Sequence, residues 1–182
     1  MRRILLTGGV KSGKSRLALA LAQKFVGKKV FIATAEAFDD EMKAGIARHQ
    51  EERSKSFFVI EEPAQLAKAI QMAESSAGVI VIDCLTVWVN NLLYHLKEDE
   101  QAAREEQKLF LDALQHTRTN IIVVTNEVGS GILPENALAR KFIYELGILN
   151  QKAAQVCDEV IFMVSGIPQR IKGTTTAAGE KV

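Results

Sequence analysis

The sequence has few of the residues that support secreted or membrane-embedded structures. It contains two cysteines and three prolines in 182 residues, too few for a disulfide framework or a proline-rich segment. No apolar run approaches the roughly 18 residues of a membrane-spanning helix, and Met1 to Arg3 leads directly into a strand pattern without a signal peptide. We therefore expect a soluble, cytoplasmic protein in which Cys84 and Cys157 are buried free thiols.

The chain also lacks an excess of either charge. It has 23 basic and 22 acidic residues and a formal net charge of +1, which argues against a general nucleic-acid or membrane-surface binder. Its length suits one domain with a substantial core. We expect that domain at residues 1–172 and a flexible tail at 173–182.

One glycine-rich stretch stands between an apolar strand pattern at 3–7 and a helix pattern at 15–25. It satisfies G-x-x-x-x-G-K-S/T, the phosphate-binding loop, with these residues: Gly8, Gly9, Val10, Lys11, Ser12, Gly13, Lys14 and Ser15. Gly8, Gly9 and Gly13 permit positive φ, so successive N–H groups can face one concavity at a helix N-terminus. Lys14 is predicted to reach the β- and γ-phosphates of a nucleotide and Ser15 to ligate Mg²⁺. The alternative is an ordinary glycine-rich turn.

Apolar strand patterns alternate with helix patterns along the rest of the chain. Strands are predicted at 29–33, 57–60, 79–82, 121–125 and 159–164, with a short edge strand in 165–172. Helices are predicted at 39–53, 64–75, 86–96 and 135–156, with another beginning within 98–107. This alternation predicts a three-layer α/β fold of the P-loop NTPase type, with a mostly parallel sheet of about six or seven strands.

Several polar residues follow the predicted strands, at the edge where α/β sheets bind ligands. Thr34 and Glu36 follow the second strand, and each is either a nucleotide contact or an ordinary loop residue. Asp83 follows four consecutive apolar residues, so it either holds Mg²⁺ or caps the next helix.

The helix predicted to end near Arg53 carries a histidine. Met42, Ile46, His49 and Arg53 are spaced to share one face. A lone histidine on such a face is more often structural, and the spacing alone does not assign chemistry to His49. His95 and His116 have no evident partner in the sequence.

The loop from Asn126 to Pro134 contains two glycines and several polar residues after the fifth major strand. A loop of this kind on a rigid scaffold is a candidate substrate site, with Asn126 and Glu127 as candidate contacts. The alternative is an elaborate turn.

Taken together in order, these segments resemble the bifunctional adenosylcobinamide kinase/adenosylcobinamide-phosphate guanylyltransferase family of cobalamin biosynthesis. The resemblance extends from about Ile4 to Lys172. It rests on the stretches at 7–15, 32–34, 39–42, 124–136, 150–151 and 164–167, of which 124–136 is the most specific. The sequence departs from the family pattern at Gly45, Ile143, Tyr144 and Ile148.

The resemblance implies a RecA-like homotrimer with two activities. The first phosphorylates adenosylcobinamide with ATP or GTP, and the second transfers GMP from GTP, by way of a covalent GMP–His49 intermediate, to adenosylcobinamide phosphate. It also implies Mg²⁺ and a GTP site lined by Thr34, Ala35, Glu36, Gln50, Glu51, Glu52, Arg53, Glu61 and Asp83. Two alternatives remain: a P-loop kinase for another small alcohol with a structural His49, and a RecA-type nucleotide-dependent binding module.

Overall fold

A computed structural model describes residues 1–36, 56–96 and 99–173 of the chain. Its helices and strands begin and end close to the predicted positions. They are β1 (Arg3–Gly8), α1 (Lys14–Gln23), β2 (Lys28–Ala33), β3 (Phe58–Glu61), α2 (Leu66–Glu74), β4 (Ala77–Asp83), α3 (Leu85–His95), α4 (Glu100–His116), β5 (Asn120–Val124), α5 (Ala137–Val156), β6 (Glu159–Val164) and β7 (Ile167–Lys172).

The strands form one seven-stranded sheet in the order β3-β2-β4-β5-β1-β6-β7. Every neighbouring pair is parallel except β6 and β7, which are antiparallel. This confirms the predicted mostly parallel α/β sheet and its strand number. The order also places β5 between the strand before the glycine loop and the strand that ends in Asp83.

Successive residues of the central strands pack on opposite faces of the sheet, as the period of a strand requires. Ile4 and Leu6 of β1 share a buried cluster with Ala18 and Ala22 of α1. Leu5 belongs to a second cluster, on the other face, that contains residues of α2, α3, α4 and α5. The described part of the chain is therefore a sheet covered by helices on both faces, which is the predicted three-layer arrangement.

Alanine substitutions at Gly78 and Gly147 are expected to change stability in opposite directions. A Cβ atom at Gly78 in β4 would lie 2.0 Å from the carbonyl oxygen of Val26, so the backbone must shift at a cost of about 1–3 kcal/mol. A Cβ at Gly147 in α5 would meet nothing within 4 Å, so alanine should add about 0.5–1 kcal/mol to the free energy of unfolding. Chemical denaturation of the two single variants measures both changes, and a stabilised Gly78→Ala protein would contradict the packing at β4.

Some predictions fall outside the described residues. They include the helix at 39–53 with His49 and Arg53, and all of the predicted tail except Gly173. None of the helices within 1–36, 56–96 and 99–173 is long and apolar enough to cross a membrane.

Candidate functional site

The glycine loop connects β1 to α1 at the carboxyl edge of the sheet. Gly8 and Gly13 have φ values of 139° and 98°, so both use the conformations predicted for them. Gly9 is not among the residues with positive φ, whereas Lys11 is, with φ 58°. Of the three glycines that permit a positive φ, Gly8 and Gly13 use it, and the third residue of the loop with positive φ is the exposed Lys11.

The Lys14 side chain is buried under this loop. Its ammonium donates to the carbonyl oxygens of Gly8 (3.0 Å) and Gly9 (2.6 Å) and to Oγ of Ser12 (3.3 Å). These three bonds match the three donors of an ammonium group. Burial lowers the pKa of Lys14, and the nearby Cys84 and Asp83 oppose that shift. The loop thus holds a largely desolvated cation directly beneath its backbone.

The hairpin turn between β6 and β7 supports the loop from the side. Ser165 and Gly166 both have positive φ, the geometry of a tight two-residue hairpin. The N–H of Gly166 donates to the carbonyl oxygen of Ser12 over 3.0 Å. A Cβ at Gly8 would lie 2.4 Å from the carbonyl oxygen of Met163, so only glycine fits there. The sequence did not predict that this turn would contact the glycine loop, although a Ser-Gly pair after a strand indicates a turn.

Thr34 and Asp83 lie at the carboxyl ends of the adjacent strands β2 and β4. Thr34 is fully buried, and its hydroxyl donates to the carbonyl oxygen of Cys84 (2.9 Å) and accepts from the Cys84 N–H (2.8 Å). Thr34 therefore holds the junction after β4. The N-cap of α3 is Cys84, without a side-chain capping bond, so Asp83 is not the capping residue that the alternative required.

Helix α3 lies across the carboxyl ends of β2 and β3. Asn91 donates through Nδ2 to the carbonyl oxygens of Thr34 (2.7 Å) and Pro63 (3.1 Å). Trp88 donates through Nε1 to the carbonyl oxygen of Ala64 over 2.6 Å. Both side chains are buried, so α3 ties together the loops that leave the two strands.

His95 and His116, which have no evident partner in the sequence, each have a hydrogen-bond partner in the structure. Nε2 of His95 lies 2.7 Å from Oε2 of Glu36, which joins the end of α3 to the segment after β2. His116 lies within hydrogen-bond distance of Asp112, 2.9 Å from its carbonyl oxygen. The pairing of His95 with Glu36 depends on the path of α3 over the sheet. The contact of His116 with Asp112 joins residues one turn apart on the same helix.

A polar network lies where β5 ends, beside the strand that precedes the glycine loop. The Thr7 hydroxyl donates to Oε1 of Glu127 over 2.6 Å. Asn150 of α5 donates to Asn126 O (3.0 Å) and lies 3.5 Å from Oε1 of Glu127. Asn126 in turn donates through its backbone N–H to the Thr86 hydroxyl over 2.9 Å. The network brings Asn126 and Glu127 to the carboxyl end of β1, where the glycine loop begins.

A cavity of about 550 Å³ opens between α3 and the start of α5. Its wall is mainly aliphatic and aromatic, with two asparagine side chains. The lining residues are Asn90, Leu93, Tyr94, Asn136, Leu138, Ala139 and Phe142. The segment from Asn126 to Asn136 leads from the end of β5 to the wall of this cavity.

Comparison with known proteins identifies the family. The sequence model of the family described as cobinamide kinase / cobinamide phosphate guanyltransferase matches residues 4–171. The chain belongs to this family.

Characterised relatives match over nearly their whole length. The chain is 39% identical over 171 residues to the bifunctional adenosylcobalamin biosynthesis protein CobP of Pseudomonas aeruginosa, covering 94% of this chain and 98% of the relative. It is 37% and 38% identical to the bifunctional adenosylcobalamin biosynthesis proteins CobU of Escherichia coli and Salmonella typhimurium, with 93% of this chain and 99% of each relative covered.

The structure describes only part of the GTP site that the family resemblance implies. Thr34, Ala35 and Glu36 lie together after β2, Glu61 is exposed at the end of β3, and Asp83 is half-buried at the end of β4. Five further residues lie outside the described ranges: His49, Gln50, Glu51, Glu52 and Arg53. Gly45 also lies outside them.

The remaining departures from the family pattern lie on α5. Tyr144 and Ile148 are 57% and 47% exposed. Ile143 packs beside Gly129, where an added Cβ would lie 3.5 Å from Cγ2 of Ile143. Tyr144 and Ile148 therefore lie on the exposed surface of α5, and Ile143 packs against the loop after β5.

The described residues contain no group of three or more histidine, cysteine, aspartate or glutamate side chains placed to hold a metal. The Mg²⁺ site predicted from the sequence consists of the Ser15 hydroxyl and the Asp83 carboxylate. Both are oxygen donors, the type that Mg²⁺ prefers, and Mg²⁺ in nucleotide sites completes its shell with phosphates and waters. The donor chemistry therefore fits Mg²⁺ bound together with a nucleotide.

We expect both cysteines to react slowly with alkylating reagents. Cys157 is buried, whereas Cys84 is only half-buried, which corrects the expectation of two buried thiols. Burial and the nearby charge of Asp83 raise the pKa of Cys84 to about 11, and burial raises that of Cys157 to about 12. Since the thiolate is the reactive form, iodoacetamide labelling of Cys84 should be slow at pH 8 and rise about tenfold per pH unit towards pH 10. Peptide mass spectrometry measures this rise, and rapid labelling of the folded protein at pH 7 would contradict it.

Proposed function

We propose that this chain phosphorylates adenosylcobinamide and then transfers GMP from GTP to the resulting phosphate, giving adenosylcobinamide-GDP. The observation that carries the proposal is the family match over residues 4–171. That match covers the glycine loop with Lys14, His49 and the Asn126–Glu127 segment within one continuous alignment. It also supports the assignment of residues 1–172 to one kinase and guanylyltransferase domain.

The glycine loop is the proposed binding site for the triphosphate of ATP or GTP. Successive backbone N–H groups and the N-terminus of α1 favour an anion there. Phosphate oxygens are stronger acceptors than neutral carbonyls. An arriving phosphate would therefore draw the Lys14 ammonium from the carbonyl oxygens of Gly8 and Gly9, which it contacts at 3.0 and 2.6 Å, and Lys14 would then stabilise charge that develops on the transferred group.

Ser15 and Asp83 would hold Mg²⁺ beside the phosphates. When bound, the ion neutralises phosphate charge. The position of Asp83 at the carboxyl end of β4, the edge at which the glycine loop leaves β1, supports this proposal.

His49 is the proposed nucleophile for guanylyl transfer. A ring nitrogen of neutral His49 attacks the α-phosphorus of GTP, so a P–N bond forms, the P–O bond to the β-phosphate breaks and pyrophosphate leaves. An oxygen of adenosylcobinamide phosphate then attacks the same phosphorus, and the P–N bond breaks. Covalent catalysis of this kind divides one difficult transfer into two easier ones. Gln50, Glu51, Glu52 and Arg53 are proposed to line this GTP site together with the segment at 34–36.

Two half-reaction assays with the full chain test the proposal. Adenosylcobinamide with ATP or GTP and Mg²⁺ should give adenosylcobinamide phosphate, and adenosylcobinamide phosphate with GTP should give adenosylcobinamide-GDP and pyrophosphate. Liquid chromatography with mass spectrometry identifies each corrinoid product. Phosphorylation without guanylyl transfer would favour the monofunctional kinase, and nucleotide binding without turnover would favour the binding module.

We also propose that the chain forms a homotrimer and acts in the cytoplasm. Assembly is supported by apolar side chains that are exposed in the single chain, among them Ile132 (99%), Leu138 (63%) and Tyr144 (57%). Light scattering coupled to size-exclusion chromatography measures the number of chains. A monomer at micromolar concentration would contradict the proposed assembly.

A further inference from the structure

The backbone of Glu127 is bound directly to the first residue of the phosphate loop. Pairing between β1 and β5 continues beyond β5, with Thr125 N–H bound to Leu6 O (2.9 Å) and Glu127 N–H bound to Gly8 O (3.2 Å). The same Gly8 oxygen accepts from the Lys14 ammonium over 3.0 Å. Glu127 and the phosphate-binding lysine are therefore joined through one carbonyl group.

The carboxylate of Glu127 is held by two side chains that are themselves buried. Oε1 accepts from the Thr7 hydroxyl over 2.6 Å and lies 3.5 Å from Nδ2 of Asn150. The Asn150 side chain is in turn held by the Thr125 hydroxyl, which donates to its Oδ1 over 2.7 Å. Thr7, Thr125 and Asn150 are 4%, 0% and 7% exposed. Both contacts are made to Oε1, and none of the described residues donates a hydrogen bond to Oε2.

Other carboxylates at this edge have different positions. Asp83 ends β4, which β5 separates from the phosphate-loop strand, and Glu36 lies 2.7 Å from His95. Glu127 is half-buried, and its Oε1 is held by the Thr7 hydroxyl. A carboxylate that is held through one oxygen can accept a proton on the other, as general-base catalysis requires.

We propose that Glu127 is the general base of the kinase half-reaction, an inference that rests on the proposed function. The alcohol oxygen of adenosylcobinamide attacks the γ-phosphorus, forming an O–P bond, while its proton passes to Oε2 of Glu127. The P–O bond to the β-phosphate breaks, and its electron pair leaves with the nucleoside diphosphate beside Lys14. Thr7 and Asn150 are positioning residues, because they orient the carboxylate without contacting the reacting atoms.

The substitution Glu127→Gln tests the base directly. Glutamine keeps the size of the side chain and an oxygen that can accept from Thr7, but it cannot take the proton. A general base contributes about 10²–10⁴-fold, so kinase kcat should fall by at least about a hundredfold. Guanylyl transfer to supplied adenosylcobinamide phosphate should be affected less. Its fold decrease should be at least about ten times smaller than that of the kinase step. Glu135→Gln, at an exposed glutamate of the same segment, is the matched control.

Two variants of Thr7 test the positioning role. Thr7→Val keeps the shape of the side chain and removes the donor to Oε1, so kinase kcat should fall while KM for the nucleotide changes little. Thr7→Ser restores the donor and should recover most of kcat. A purely structural hydroxyl would instead lower the two half-reactions together, along with the melting temperature.

The possible results for the Glu127→Gln and wild-type proteins have different causes and can be distinguished. A Glu127→Gln protein that keeps wild-type kinase activity would overturn the proposal that Glu127 is the general base. A protein that loses both half-reactions equally would overturn it as well. Recovery of its kinase activity at raised Mg²⁺ concentration also overturns it, since that result makes Glu127 a metal ligand. If the wild-type chain forms no adenosylcobinamide phosphate, the proposed function fails, and the base proposal fails with it.

Discussion

A His49→Ala protein is expected to take up no radioactivity from GTP labelled with ³²P at the α-phosphate, whereas the wild type becomes covalently labelled. GTP labelled at the γ-phosphate should label neither protein, because that phosphorus leaves with pyrophosphate. The phosphorus–nitrogen bond between GMP and His49 should be labile in acid and stable in alkali, as expected for a phosphoramidate. Guanylyl transfer should fall by at least about 10³-fold, because removing the nucleophile removes the covalent route.

The kinase step offers an internal control for this variant. In the proposed mechanism His49 takes no part in the phosphorylation of adenosylcobinamide, so the His49→Ala protein should retain this step. His116→Ala is the matched histidine control, since His116 is exposed at the end of α4 and its ring contacts Asp112 of the same helix. Wild-type protein that binds GTP and acquires no α-label would make His49 structural. The simple P-loop kinase would then be the better account of the chain.

A Lys14→Met protein is expected to lose both half-reactions while remaining folded. Methionine replaces the lysine stem with similar volume, but the carbonyl oxygens of Gly8 and Gly9 lose the ammonium donor, at a cost of about 1–3 kcal/mol. Both oxygens still accept from backbone N–H groups, so we expect the protein to remain folded. The ammonium that stabilises the transferred phosphate is lost, however, so kcat of the kinase step should fall by about 10²–10³-fold, the scale measured for a single oxyanion-stabilising donor.

Steady-state kinetics and thermal unfolding together check this expectation. Lys24→Met is the matched control, because Lys24 is an exposed lysine at the C-terminal end of the same helix α1. It should leave both half-reactions near their wild-type rates. A Lys14→Met protein with nearly normal turnover would show that the three bonds from Lys14 to the loop serve folding alone.

The nucleotide site could be located from the sequence because its motif is contiguous. The residues from Gly8 to Ser15 supply the turn, the cation and the start of α1, so local chain geometry is enough to assemble them. The alternation of apolar strands and helices likewise predicted the sheet, since each strand must bury both faces. Asp83 could be placed at the carboxyl edge for the same reason.

Other features depend on which strands become neighbours. Local patterns contain no information on the placement of β5 between β1 and β4, and this placement brings Glu127 to Gly8 and Thr7. The contact between Gly166 and Ser12 likewise requires the antiparallel hairpin of β6 and β7 beside β1. The pairing of His95 with Glu36 requires α3 to cross the sheet edge.

The sequence by itself therefore determined the phosphate loop, the α/β class and the family, because each is encoded in consecutive residues or in their period. Only the folded chain shows how the Glu127 carboxylate is held and how the loop is supported. Some of those contacts join residues more than a hundred positions apart, such as Thr7 with Glu127 and Ser12 with Gly166. Strand order and helix packing create them, and both arise from burial across the whole chain.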